Sequence, residues 1–237
     1  MIYNKILELK KNNKKGIALL IDPDNEKIHN VRKNIESINN SNVFMILIGG
    51  STLFTADFDL FTKEVKKYTN KPVVIFPGSS LQISKYADAI LFLSLISGRN
   101  PQYLIGEQVN AALKLKGMGI EAISTGYMLI ESGARTSVEF ISNTKPIPRT
   151  KSEIILAHAV AAELLGMKLL YLDAGSGAKY SIPFDAVKKV SDSVSIPLMV
   201  GGGIKSMDEI KKYFHYGADI VVIGTLYEKN KNILNDI

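Results

Sequence analysis

With 237 residues, 46% hydrophobic and 22% charged, the chain has the make-up of a soluble globular protein long enough to bury a full core. No apolar run reaches the roughly 18 residues of a membrane span, and the absence of cysteine excludes disulfides and thiolate chemistry. The net charge of +6 suits anionic partners, yet the lysines are spread over stretches such as KEVKKY and DEIKKYF. No basic stripe with interleaved aromatics forms, so nucleic acid is not an expected partner.

The opening residues, MIYNKILELKKNNKKG, are charged throughout and lack the apolar centre of a signal peptide. A cytoplasmic protein is the expectation. Short apolar runs then recur, each ending in Gly, Pro, Asp or Ser and followed by an amphipathic stretch. They predict strands over 16–22, 43–48, 73–76, 89–93, 120–126, 169–172, 198–200 and 220–223. Near-continuous hydrophobicity means burial on both faces and hence a parallel sheet. Helical patterns fall at 26–39, 59–68, 102–116, 151–165, 183–191, 207–216 and 226–234. Eight strands alternating with helices close a single (β/α)₈ barrel, a TIM barrel spanning 1–237 as one domain. Only PGSSLQISKYAD separates the third and fourth strands, too little for a proper helix. The segment 131–150, with two prolines after strand five, is a long loop of the kind used as a lid or an interface arm.

The chemistry clusters where strands end. Strand one ends in Leu20-Ile21-Asp22-Pro23-Asp24-Asn25, and strand two in Ile48-Gly49-Gly50-Ser51-Thr52. Carboxylate and hydroxyl oxygens are hard ligands suited to magnesium, which completes its shell with water and substrate phosphate. Asp22, on the strand end itself, is therefore the better metal candidate, and Asp24 reads as a helix N-cap. Strand six ends in Tyr171-Leu172-Asp173-Ala174-Gly175-Ser176-Gly177. Its carboxylate can bond a substrate hydroxyl or serve as its general base, or else form a turn. Strands seven and eight end in Gly201-Gly202-Gly203 and Gly224-Thr225. Glycines there let backbone N–H groups approach phosphate oxygens, and a following helix adds its positive end. A phosphate over strands seven and eight and a second anion near strands one and two are both implied. His29, His158 and His215 fall within helices and do not form a metal site.

Taken together, these residues resemble the geranylgeranylglyceryl phosphate synthase family, which includes the bacterial heptaprenylglyceryl phosphate synthases. The resemblance runs nearly end to end. It is carried by IDPDN at Asp22, IGGS at Ser51, FPGS at Pro77, SLISGRNPQYLIGEQV from Ser94 and STGYMLIESG from Ser124. NTKPIPRTKSEI from Asn143, YLDAGSGA at Tyr171, VGGGI at Val200 and IGT at Thr225 complete it. SGRNPQYLIGEQV and NTKPIPR are not generic barrel features, and they look like the second of the family's two main groups. The resemblance implies a magnesium-dependent prenyltransferase that joins the 3-hydroxyl of sn-glycerol 1-phosphate to a polyprenyl diphosphate, with geranylgeranyl diphosphate the expected donor.

It assigns Asp22 and Ser51 to magnesium and diphosphate. Tyr171, Leu172, Asp173, Ala174, Gly175, Ser176, Gly177, Gly202, Gly203, Gly224 and Thr225 go to glycerol phosphate, with Asp173 as the catalytic residue. Many family members carry Glu where this chain has Asp173, which leaves two roles for it, base or glycerol anchor. Phe76, Phe92, Leu93 and Tyr127 are available for a tail groove, or as barrel core. The resemblance further implies a homo-oligomer larger than a dimer, such as a hexamer, with transient membrane contact for product release. The runner-up is a phosphate-binding isomerase of the histidine or tryptophan biosynthesis type. It needs acid–base residues at the ends of strands one and five or six, and strand five ends in STGY without a carboxylate.

Overall fold

The structure is a computed structural model that describes residues 1–26, 28–54 and 56–237, with backbone alone for Ile28, His29 and Arg32. Eight parallel strands close a barrel in sequence order. They are β1 (Gly16–Ile21), β2 (Met45–Ile48), β3 (Val73–Ile75), β4 (Ala89–Leu95), β5 (Glu121–Leu129), β6 (Leu169–Asp173), β7 (Leu198–Gly201) and β8 (Ile220–Ile223). Closure is direct: Gly16 to Leu19 of β1 pair with Ile220 to Ile223 of β8. The TIM-barrel expectation is borne out.

Side chains alternate between two cores. Ala18, Met45, Leu47, Leu91, Tyr171, Met199 and Val222 fill the barrel. Their neighbours Leu19, Ile46, Ile48, Leu172, Val200 and Val221 pack outward beneath the helices. This period of two within runs that are apolar throughout is what burial of both sheet faces demands.

The helices are α1 (Ile2–Lys11), α2 (Ile28–Asn40), α3 (Phe58–Tyr68), α4 (Glu107–Met118), α5 (Ser137–Ser142), α6 (Ser152–Leu164), α7 (Phe184–Ser193), α8 (Met207–His215) and α9 (Thr225–Lys229). Two of them, α1 and α5, have no counterpart among the expected elements. Helix α1 plugs the amino-terminal end of the barrel. Its Ile2 and Ile6 join the interior core, and the Glu121 carboxylate accepts from the Ile2 and Tyr3 N–H groups at its start. The charged surface of residues 1–15 hides this, because only two positions are buried. Helix α5 lies within 131–150. Thr136 caps it, its Oγ accepting from the Glu139 N–H at 3.4 Å.

Several expected boundaries move. β4 and β5 run past Leu93 and Gly126, because their ladder continues through Ser94 and Leu95 to Tyr127 and β5 goes on pairing with β6 as far as Leu129. The helix expected over 102–116 begins with a π-helical turn, Gln102–Gly106, before α4. The helix expected over 226–234 breaks at Asn230 into α9 and a 3₁₀ turn, Lys231–Asp236, where the Asn230 side chain accepts from the Asn232 N–H. As expected, the described residues between β3 and β4 contain no helix.

Candidate active site

The carboxyl ends of the strands surround one cavity of about 320 Å³. Of the residues singled out in the sequence, its wall takes in Asp22 and Ser51 on one side and Tyr171, Asp173 and Ser176 on the other. Gly202, Gly203, Gly224 and Thr225 complete that polar end. Leu172 points into the sheet–helix core instead, as does Ala174. Gly175 and Gly177 shape the turn behind the wall, with φ of +86° and +73°.

The cradle over β7 and β8 has little freedom. Gly202 and Gly203 sit at φ +81° and +69°, a region costly for any residue with a Cβ. A Cβ at Gly202 would stand 2.6 Å from Ala174 N and 2.6 Å from Asp173 Oδ1. Backbone and carboxylate meet there with no side chain between them. Helix α9 is a single short turn, so its dipole is small. The donors at that end are the unpaired N–H groups of its first turn and the Thr225 hydroxyl.

Asp173 is 6% exposed. Its Oδ2 accepts from the Tyr127 hydroxyl at 2.5 Å and its Oδ1 from the Gly175 N–H at 3.0 Å. Burial raises its pKa above the ordinary carboxylate value, against the opposing pull of the Tyr127 hydroxyl and the Gly175 and Ala174 N–H groups. The same burial, with the Asp173 charge beside it, holds the Tyr127 phenol well above its usual value. Tyr127, considered from the sequence for the tail groove, is therefore also the partner of Asp173. Its ring meets Tyr171 edge-on at 5.5 Å, and Phe76 packs on both, at 5.9 Å from Tyr127 and 5.1 Å from Tyr171. All three rings line the cavity, which also has an apolar chamber.

On the other side, Asp22 is half-buried and its Oδ1 accepts from the Asp24 N–H at 3.0 Å. Burial is the main cause of its raised pKa, with the Asp24 and Glu228 charges adding to it. A Cβ at Gly50 would stand 2.8 Å from Asp22 Oδ2, so the carboxylate packs directly on the loop after β2. Asp24 is not an N-cap. It stands four residues before the first residue of α2, and its carboxylate ties that same loop through the Phe54 and Ala56 N–H groups at 2.7 and 2.9 Å. Glu228, also in the wall, was not picked out in the sequence, because nothing local marks a helical Glu as facing a cavity.

The apolar chamber opens where the β3–β4 helix is missing. Phe92 and Leu93 line it with Ile83, Ile90, Ala111 and Leu115. With no crossover helix on that face, side chains that elsewhere meet a helix face open space. The π-helical turn covers it through Tyr103, held by the Gln108 amide, which donates to the Leu93 and Tyr103 carbonyls. From the 131–150 segment, Val138 and Ile141 close another side. Of the histidines, His215 is exposed, His158 bonds its own helix through the Ile154 carbonyl, and the His29 side chain lies outside the described residues. Among the described residues no group of three or more His, Cys, Asp or Glu could hold a metal ion by itself.

A closed parallel barrel, a two-glycine cradle over β7 and β8 and a buried carboxylate beside it define a class: (β/α)₈ barrels whose carboxyl face receives phosphorylated small molecules. Within that class, the chain belongs to the PcrB family, whose model matches residues 9–237. It is 48% identical to a geranylgeranylglyceryl phosphate synthase of Flavobacterium johnsoniae, over 99% of this chain and 96% of that protein. It is 40% identical to one from Pyrococcus abyssi, over 98% of this chain and 91% of that protein. The crystal structure of (S)-3-O-geranylgeranylglyceryl phosphate synthase from Thermoplasma acidophilum in complex with substrate sn-glycerol-1-phosphate superposes with a TM-score of 0.92. Identity there is 34%, covering 99% of this chain and 94% of that one. The resemblance drawn from the motifs is borne out.

Proposed function

We propose that this protein is a prenyltransferase that joins the 3-hydroxyl of sn-glycerol 1-phosphate to C1 of a polyprenyl diphosphate, geranylgeranyl diphosphate being the expected donor. The observation that carries this reading is the cavity itself. One continuous wall joins a phosphate cradle, a buried carboxylate, a second carboxylate across the mouth and an apolar chamber. A sugar-phosphate isomerase has no use for that chamber, and β5 brings a phenol, Tyr127, rather than an acid–base carboxylate to the rim.

Gly202, Gly203 and Thr225 take the phosphate, and Asp173, held by Tyr127, takes the free hydroxyls of glycerol. Asp22 and Ser51 face the diphosphate, and Phe92, Leu93, Ile90 and Leu115 surround the tail. The donor set around Asp22 fits magnesium, which is bound by one or two carboxylates and completed by water and substrate phosphate rather than by an all-protein cage. When bound, it neutralises charge developing on the leaving diphosphate. The C1–O bond to diphosphate breaks with its electron pair leaving on oxygen, and the glycerol oxygen forms the new bond to C1. Its proton passes to Asp173. The allylic cation needs little help from a strong nucleophile, so orientation of the hydroxyl is the larger part of the protein's work. The exposed side chains of Phe140, Leu164 and Leu165 support self-association of the same enzyme.

The direct test is incubation with labelled sn-glycerol 1-phosphate and geranylgeranyl diphosphate, with and without magnesium, reading for an ether-linked product. Both ends of the glycerol are fixed in this arrangement, so sn-glycerol 1-phosphate should be strongly preferred over its 3-phosphate enantiomer. Comparable kcat/KM for the two would rule out the assigned acceptor. The cradle has its own test. Gly202→Ala forces a Cβ into the 2.6 Å contact with Ala174 N. KM for sn-glycerol 1-phosphate should rise by about tenfold or more from this strain, while KM for the prenyl donor changes little.

A further inference from the structure

We infer that Gln82 is a positioning residue for the diphosphate end of the site, an inference that rests on the reading above. Gln82 lies in the helix-free segment between β3 and β4. It is 1% exposed and does not line the cavity. Its carboxamide spans the loops that follow β2 and β3. The Oε1 atom accepts from the Gly50 N–H at 3.4 Å and the Gly78 N–H at 3.1 Å, and Nε2 donates to the Gly50 carbonyl at 2.9 Å.

These loops touch with no side chain between them. A Cβ at Gly78 would stand 2.2 Å from the Gly50 carbonyl oxygen, and one at Gly49 would stand 1.8 Å from that of Phe76. Gly50 in turn packs on the Asp22 carboxylate, at the 2.8 Å contact already described. The stack therefore runs from Asp22 through Gly50 and Ser51 to Gly78 and Ser79, all of them in the cavity wall. Its glycines have no side chains of their own with which to hold a fixed spacing. Gln82 supplies that spacing from behind. The β3 loop is pinned separately at Ser80, whose N–H donates to the Glu107 carboxylate at 2.5 Å.

A merely space-filling residue here would be apolar, because burying a carboxamide costs free energy unless its polar atoms are bonded. These three bonds go to backbone of the two loops, and none goes to β6, β7 or β8. Loss of Gln82 should therefore loosen the grip on diphosphate and leave the glycerol phosphate end alone.

Gln82→Met keeps the length of the side chain and removes every one of these bonds. Steady-state kinetics with geranylgeranyl diphosphate, and inhibition by inorganic diphosphate with magnesium, read the effect. KM for the donor and Ki for inorganic diphosphate should rise together by about 10- to 100-fold, the cost of misplacing a positioned group. KM for sn-glycerol 1-phosphate should stay within about twofold, since separated sites couple weakly. A structural role alone would lower thermal stability or shift both KM values equally, and an unchanged Ki would likewise overturn the inference. Should Gln82→Met fail to fold, Gln82→Asn decides. It keeps an uncharged carboxamide but draws it back by one methylene, out of reach of the Gly50 and Gly78 backbone, so the same separation of constants should appear, and its absence overturns the inference. A parent enzyme without saturable dependence on the donor overturns the functional reading as well. A saturating parent with an unmoved Ki in the variants overturns only the role of Gln82.

Discussion

Asp22→Ala is expected to abolish prenyl transfer while leaving sn-glycerol 1-phosphate binding intact. On the proposed reading Asp22 serves the diphosphate; its half-buried carboxylate packs on Gly50, whereas the cradle of Gly202 and Gly203 packs on Ala174 and Asp173. The developing charge on a leaving diphosphate is worth several kcal/mol of stabilisation from a bound cation, so turnover should fall by about 10³-fold or more. Calorimetric titration with sn-glycerol 1-phosphate should give a Kd within about twofold of the parent, as for sites without shared partners. Added magnesium should not restore the rate. If affinity for glycerol phosphate collapses instead, the two anion sites are not separate and the division of the rim is wrong.

Asp173→Asn is the second large effect. The substitution keeps the size of the side chain and removes both the charge and the proton acceptor. General-base assistance contributes about 10²–10⁴-fold, so kcat should fall within that range while dependence on magnesium persists. Asp173→Glu, which keeps the carboxylate on a side chain one methylene longer, should keep most of the activity if the turn through Gly175 absorbs the extra length. A near-full kcat in Asp173→Asn would reduce the carboxylate to a turn residue.

The pH profile gives an independent reading. Burial raises the Asp173 pKa, and transfer of the proton requires the ionised form. The acid limb of kcat should therefore lie above the pH at which an exposed aspartate titrates, and it should be lost in Asp173→Asn. The stability consequence has the opposite sign. A carboxyl whose folded pKa is raised binds more protons folded than unfolded, so ionising it costs stability. That cost grows as pH rises from the unfolded pKa to the folded one and is constant above it. Thermal melts of parent and Asp173→Asn across this window should converge at the acid end.

What the chain determined alone is the barrel and the chemistry of its rim. Eight apolar runs ending in Gly, Pro, Asp or Ser carry their meaning locally, since a strand buried on both faces must be apolar throughout. Gly202 and Gly203 are likewise legible, because a phosphate cradle requires backbone without side chains. The gap between β3 and β4 could be counted in residues. Other features were settled only by the tertiary structure, since they join residues distant in the chain that carry no local mark. The Tyr127 hydroxyl reaches Asp173 across 46 positions, and the Gln82 amide reaches Gly50 across 32. Asp24 looked like a cap until the loop after β2 folded over it. Helix α1 is charged over most of its surface, with Ile2 and Ile6 its buried residues, and it is held by Glu121, 119 positions from Ile2. Strand ends and turns answer to the residues beside them, whereas a buried hydrogen bond answers to whichever loop the closed barrel brings within 3 Å.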